Sequence, residues 1–275
     1  MKSILSAFGL VSTIALAAAP LSAASIGVQP LVVEVEPGRS TSIRVRNVSD
    51  ESTSIETVVA ERLIDANGVQ TQKAAEDAFI LLPPQGTIPA QGMQVIRVQP
   101  VVTGAMTESK SYFISVQQLP VAFKPVERTG AGAQMLVRFA FDVAVHVVPR
   151  GAKPKMALVS AEPGSMNITV PPRPEDLMRP GGPPKPVIKT LPAAVISIRN
   201  DGNRYLYLQN YDYAISAVLA DGSRKDFPKL TEREVIDAAG VTLVPPHAAR
   251  KFSLPLPEGT RVRSLTVQVR EKTEG

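Results

Sequence analysis

Along residues 134–148 an apolar side chain stands at every second position: Met135, Val137, Phe139, Phe141, Val143, Val145 and Val147. Between them lie Gln134, Leu136, Arg138, Ala140, Asp142, Ala144 and His146. A period of two belongs to an extended strand, whose successive side chains point to opposite faces. This run of about 15 residues is far longer than the usual five or six of a strand. It ends at Pro149, before a stiff Pro- and Gly-bearing segment, so it reads as the last strand of a domain. Residues 143–147 suit an ordinary core. Met135, Val137, Phe139 and Phe141 are large apolar groups on a strand at a domain border, which invites pairing with another chain. In such pairing the backbone supplies the ladder and alternate side chains fill pockets. A long core strand packed wholly inward is the competing account.

The rest of the chain is also strand-like. Alternating runs at 28–35, 41–46, 54–63, 79–82, 94–98 and 112–118 are separated by turn clusters such as Asp65-Ala66-Asn67-Gly68 and Pro89-Ala90-Gln91-Gly92. About seven short strands over some 120 residues describe a β-sandwich. The pattern restarts beyond the linker, with strands at 155–159, 167–170, 193–199, 205–208, 213–219, 250–254 and 265–269. The prolines of 171–192 predict a long, irregular loop. The one plausible helix, 231–238, opens on Thr231 with Glu234 at the capping-box position. Two strands echo each other: 42–47 and 195–200 both alternate, stop at an asparagine (Asn47, Asn200) and run into a short polar turn. The fold class is therefore all-β, two immunoglobulin-like sandwiches after a cleaved signal peptide. Its divisions are a leader at 1–24, a first domain at 25–149, a linker at 150–154 and a second domain at 155–275.

The leader rests on Lys2, an uncharged apolar stretch over 4–19, and small residues Ser22 and Ala24 placed for cleavage. The apolar stretch breaks at Pro20 and is shorter than the roughly 20 residues of a membrane span. These features predict export to the periplasm without stable membrane insertion. The chain has no cysteine, so no disulfide framework supports it and buried apolar area must. The net charge of +5 falls by one with Lys2. Arg44, Arg46, Arg97, Arg138 and Arg199 are spaced singly along strands, the pattern of a solvated surface rather than a nucleic-acid-binding stripe. His146 and His247 are the only histidines, and neither has partners at catalytic or metal-ligand spacing. His146 is expected on the polar face of its strand. No enzyme activity, metal or other cofactor is expected.

Several segments resemble the PapD-like periplasmic chaperones of pilus and fimbrial assembly. Phe79-Ile80-Leu81-Leu82-Pro83-Pro84 followed by Gln94-Val95-Ile96-Arg97-Val98 is similar to that family's Pro-Pro segment and next strand. The run from Glu108-Ser109 through Tyr112-Phe113 to Leu119-Pro120 resembles its Glu-Ser-aromatic strand. The long alternating strand before Pro149 matches its subunit-binding strand. The resemblance implies a chaperone that lends this strand to pilin-like subunits lacking one of their own, then passes them to an outer-membrane usher. Met135, Val137, Phe139 and Phe141 would fill the subunit's groove. The family's basic pair for the subunit carboxylate has no counterpart: Ala144 stands at the Lys position, and 29–33 offer no arginine. Arg138 is a candidate substitute anchor, against the reading of a solvated or Asp142-paired side chain. The family's interdomain charge cluster is not evident, since Val148 precedes Pro149 where an arginine is expected. An exported structural, fimbrial or adhesion component that shares the sandwich is the alternative function.

Overall fold

A computed structural model describes residues 26–102, 104–119, 138–176 and 184–272. The predicted leader, and Met135 and Val137 of the long strand, lie outside the described residues. The first half contains β1 (Ile26–Gln29), β2 (Val32–Val35), β3 (Thr41–Asn47), β4 (Thr53–Ile64), β5 (Gln70–Ala74), β6 (Phe79–Leu82), β7 (Gln85–Ile88), β8 (Met93–Pro100), β9 (Lys110–Gln118) and β10 (Ala140–Val147). They form an immunoglobulin-like sandwich. One sheet runs β1-β3-β8-β6, and the other runs β2-β10-β9-β4-β5 with β7 also on β4. The single run expected over 28–35 is two strands, because the chain crosses from one sheet to the other between β1 and β2. Alternation turns Ile43, Val45, Ile96, Val98, Ile114, Val143 and Val145 into one core, each without solvent exposure. Each such side chain contributes about 1.5–3 kcal/mol on burial.

The second half contains β11 (Met156–Val170), β12 (Val187–Asn200), β13 (Leu206–Tyr207), β14 (Tyr211–Leu219), β15 (Arg224–Asp226), α1 (Glu232–Ala239), β16 (Leu243–Val244), β17 (Ala249–Pro255) and β18 (Val262–Glu271). The sheets β11-β12-β17 and β15-β14-β18 enclose a second core around Ile196, Ile198, Tyr213, Phe252 and Leu254. The expected helix is present with its capping box: Thr231 N–H donates to Glu234 Oε2 at 2.7 Å, and Glu234 N–H donates to Thr231 Oγ1.

Two expectations fail here. The separate strands at 155–159 and 167–170 are one strand, β11, with a bulge near Leu158. The proline loop is shorter than 171–192, because residues 187–192 already pair with 165–170. Proline is tolerated in a strand where its missing N–H would face no neighbour. Pro163 meets that condition on the outer side of β11, and Pro192 stands just before the residues of β12 that pair with β17, which begin at Ala193.

The echo between the two halves is a shared corner. Asn47 and Asn200 each end a strand paired on both sides, and each is fully buried. Asn47 Nδ2 reaches the carbonyls of Glu51, Ile88 and Pro89 at 2.7–3.1 Å, and Asn200 Nδ2 reaches those of Arg204, Val244 and Pro245 at 2.8–3.3 Å. In both, Oδ1 accepts from the backbone N–H two residues on.

Candidate functional site

The strand that first drew notice is built in two halves. From Ala144 onward β10 is held on both sides, by β2 in parallel and by β9 in antiparallel register. Before Ala144 only β9 remains among the described residues, pairing Ala140–Val143 with Gln117–Ile114. The bond from Ala144 N–H to the Leu31 carbonyl, 2.9 Å, marks where β2 stops. It also shows which way the backbone points. Ala144 turns its peptide groups toward β2, so Asp142 and Ala140, two and four residues back, turn theirs to an open edge. On the other side the Phe139 carbonyl accepts from Gln118 N–H at 3.0 Å, which extends the ladder with β9. Phe139 and Phe141 are half-buried against the first core, while Ala140 and Asp142 are exposed. Arg138 is exposed and has no carboxylate within 4.0 Å among the described residues. It does not pair with Asp142, whose Oδ1 accepts from the Ser115 hydroxyl instead.

His146 is the chief correction. It is fully buried rather than on a polar surface, because the second sandwich covers its face of the sheet. Nδ1 contacts Ser111 Oγ at 2.8 Å, Nε2 contacts Tyr207 OH at 2.9 Å, and the Tyr205 ring lies 4.2 Å away, centroid to centroid. Around it Arg204 pairs with Glu34 at 2.6 Å, Tyr205 OH donates to the same carboxylate, and Tyr205 N–H donates to Ser109 Oγ at 2.8 Å. Burial pushes the His146 ring down to about 4, and the Arg62 charge adds to the effect while Glu34 opposes it. Burial alone would raise the Glu34 carboxyl, but the bonds from Tyr205 and Arg204 outweigh it and hold the group low. An interdomain polar cluster therefore exists, assembled from residues other than those the sequence pointed to. Its one local signal was the pair Tyr205 and Tyr207, two of five tyrosines, two residues apart.

A second contact spans the two halves at the β4–β5 turn. Asp65 Oδ1 accepts from the N–H groups of Asn67 and Val69, and the Ala66 carbonyl accepts from Lys251 N–H at 2.7 Å. Gly68, at φ +82°, lies directly against the Arg250 guanidinium. That guanidinium is held by the carbonyls of Ala239, Val241 and Lys251, so it cannot easily give way. Gly68→Val would place a β-branched side chain at positive φ and in that contact, at a cost of about 2 kcal/mol. Limited proteolysis of the junction should then accelerate several-fold. An unchanged cleavage rate would show that the turn does not bear on domain docking.

The arginines spaced singly in the sequence are gathered by register. Arg44 and Arg46 lie on the outer face of β3, where Arg44 faces Val95 and Arg46 faces Met93, and Arg97 faces Ser42. Leu82 pairs with Arg97 and Ile80 with Gln99. The result is an exposed face with three arginines beside Ile80, Leu82, Met93 and Val95, which are 45–60% exposed. Among the described residues of these strands, no acidic one stands on it.

Residues 26–153 match the family model described as the pili and flagellar-assembly chaperone, PapD N-terminal domain. A search of curated proteins finds no match. Among solved structures, a chain of the chaperone–tip adhesin complex of CFA/I fimbriae biogenesis is similar at TM-score 0.50 and 11% identity, covering 90% of this chain and 99% of that one. A chain of the Salmonella enterica SafA pilin in complex with the SafB chaperone is similar at TM-score 0.50 and 12% identity, with 90% and 96% covered. At these identities the likeness speaks for the fold. No helix among the described residues is long and apolar enough to cross a membrane.

Proposed function

Because its first domain belongs to the PapD family of pili and flagellar-assembly chaperones, we propose that this chain is a periplasmic chaperone of pilus or fimbrial subunits. The single observation that carries the mechanism is the open edge of β10 before Ala144. A subunit with an incomplete sandwich has unpaired backbone groups and an open apolar groove. The Ala140 and Asp142 backbone would complete its ladder, and Phe139 and Phe141, continued by Met135 and Val137, would enter its groove. Backbone bonding makes capture tolerant of sequence, and alternate side chains set fit. Release by a competing strand then needs no external energy source. Arg138 is offered for the subunit's carboxylate. The leader at 1–24 supports periplasmic residence.

Hand-off to an outer-membrane usher requires a second surface that client binding leaves free. The face bearing Arg44, Arg46 and Arg97 suits that role, since it belongs to the sheet that lacks β10. Arginine and methionine beside exposed apolar side chains are the composition of a protein interface.

The test is co-expression of the mature chain with a pilin-like subunit, scored as a soluble one-to-one complex. Ala140→Pro deletes an N–H at the open edge without touching the core, and should weaken the complex at least about tenfold, the scale of one lost hydrogen bond in a continuous ladder. Phe139→Asp with Phe141→Asp should abolish it. Arg97→Glu, in the other sheet, should leave it intact. If both β10 variants fold and still hold the subunit like the wild type, strand donation is wrong.

A further inference from the structure

The outer half of β11 and β12 forms a two-stranded ribbon that runs on past the second sandwich. Residues 187–192 pair with β11, while the pairing of β12 with β17 begins only at Ala193. Six residues at about 3.3 Å each carry the ribbon some 20 Å from the core sheet. Val187 and Ile188, 64% and 70% exposed, are the most exposed large apolar side chains among the described residues.

The backbone direction of the ribbon follows from one bond. Leu256 N–H donates to the Pro192 carbonyl at 2.8 Å, so the even residues of β12 face the β17 side and the odd ones face β11. The register then sets the even residues of β11 toward β12, with Met166 opposite Leu191 and Ile168 opposite Lys189. Ser165, Asn167 and Thr169 therefore turn their N–H and carbonyl groups outward. Pro163, which has no N–H, falls in the same outward set. β11 ends its sheet, and no backbone bond occupies those outward groups among the described residues.

Sheet edges are usually blunted by charge, proline or a bulge. This edge has Pro163 and a bulge near Leu158, both before the projecting part. From Gly164 to Val170 the sequence Gly-Ser-Met-Asn-Ile-Thr-Val contains neither charge nor proline. It is also self-complementary. Antiparallel pairing with a copy of itself about Ile168 sets Ile168 against Ile168 of the second copy and Met166 against Val170. The same register sets Asn167 against Thr169, so outward backbone groups meet outward backbone groups. The apolar side chains then line one face, continuous with Val187 and Leu191 of β12. Lys189 is neutralised by Glu258 at 2.6 Å within its own chain.

We propose that this edge is a homodimer contact, with β11 of two copies pairing antiparallel across a two-fold axis at Ile168. A closed, isologous contact of this kind uses the same patch on both copies and cannot propagate. Its small area makes it a weak, concentration-dependent association. The inference does not depend on the chaperone reading, because it uses only β11 and β12.

Sedimentation velocity over a wide protein concentration range is the first measurement, with circular dichroism to verify folding. The wild type should pass from monomer to dimer, and Asn167→Pro and Ile168→Lys should each lower the association constant at least about tenfold. The chain has no cysteine, which allows a test of register. Ile168→Cys should oxidise readily to a disulfide-linked dimer, since facing residues lie about 5 Å apart between Cβ atoms. Val187→Cys, more exposed but about three strand spacings from its copy, should not. A wild type that stays monomeric throughout overturns the proposal. So does a dimer that survives both edge variants, or equal cross-linking of the two cysteines.

Discussion

Asn200→Ala is expected to destabilise the second sandwich by roughly 3–5 kcal/mol, and Asn47→Ala to do the same to the first. Each amide is fully buried and fills the corner where a doubly paired strand turns out of the sheet. Its two N–H groups are shared among three carbonyls, and its oxygen accepts from a backbone N–H of the turn that follows; for Asn200 it also accepts from Lys155 N–H, just before β11, at 3.2 Å. Alanine removes all of these at once and leaves their backbone partners unpaired in a buried corner. Each buried polar group left unpaired costs about 1–3 kcal/mol. Two or three of them rival much of a domain's total stability of about 5–15 kcal/mol. Thermal unfolding followed by circular dichroism would read the effect as a drop of well over ten degrees in Tm, at about 4–8 °C per kcal/mol for domains near 100 residues. A shift of only two or three degrees would show that the corner is not what holds the turn.

Acidification should loosen the junction between the sandwiches through His146. The ring's ordinary value is 6.5 and its folded value is about 4, so the docked state binds fewer protons than the open or unfolded chain. Stability is therefore complete above the ordinary value and is lost as pH falls from about 6.5 toward 4. The shift corresponds to about 3 kcal/mol over that window. The groups that face the ring set the direction: Ser111 on its own sheet, Tyr205 and Tyr207 from the second half, and the charges of Arg62, Arg204 and Glu34 around them. Glu34 is held low, so its own loss of stability comes at lower pH, below the ordinary carboxylate range. Urea titrations at neutral pH and near pH 4.5 would measure the loss. His146→Gln, which keeps a polar contact but cannot titrate, should flatten the dependence. An equally steep dependence in that variant would mean that other groups drive it.

The open edge of β10 was partly legible. Alternation marked Phe139 and Phe141 as one face, and Pro149 marked the end of the strand. What alternation could not reveal was that β2 pairs only from Ala144 onward, which is what divides the strand into a core half and an edge half. The same limit explains Arg44, Arg46 and Arg97. Their spacing put the first two on one face, but only the pairing of β3 with β8 brings the third beside them. His146 was misplaced because a period of two names the face and not what covers it.

Local chemistry determined the strand-rich class, the restart of the pattern beyond the linker, the capped helix at Thr231 and the likeness of the Asn47 and Asn200 strands. Side-chain period, turn residues and caps act over a few residues, so a sequence displays them directly. Tertiary structure alone decided which edges of β10 and β11 stay open and which polar groups meet around His146. Those outcomes depend on register and docking between segments tens to more than a hundred residues apart, as with Glu34 and Arg204, and no local pattern encodes that pairing.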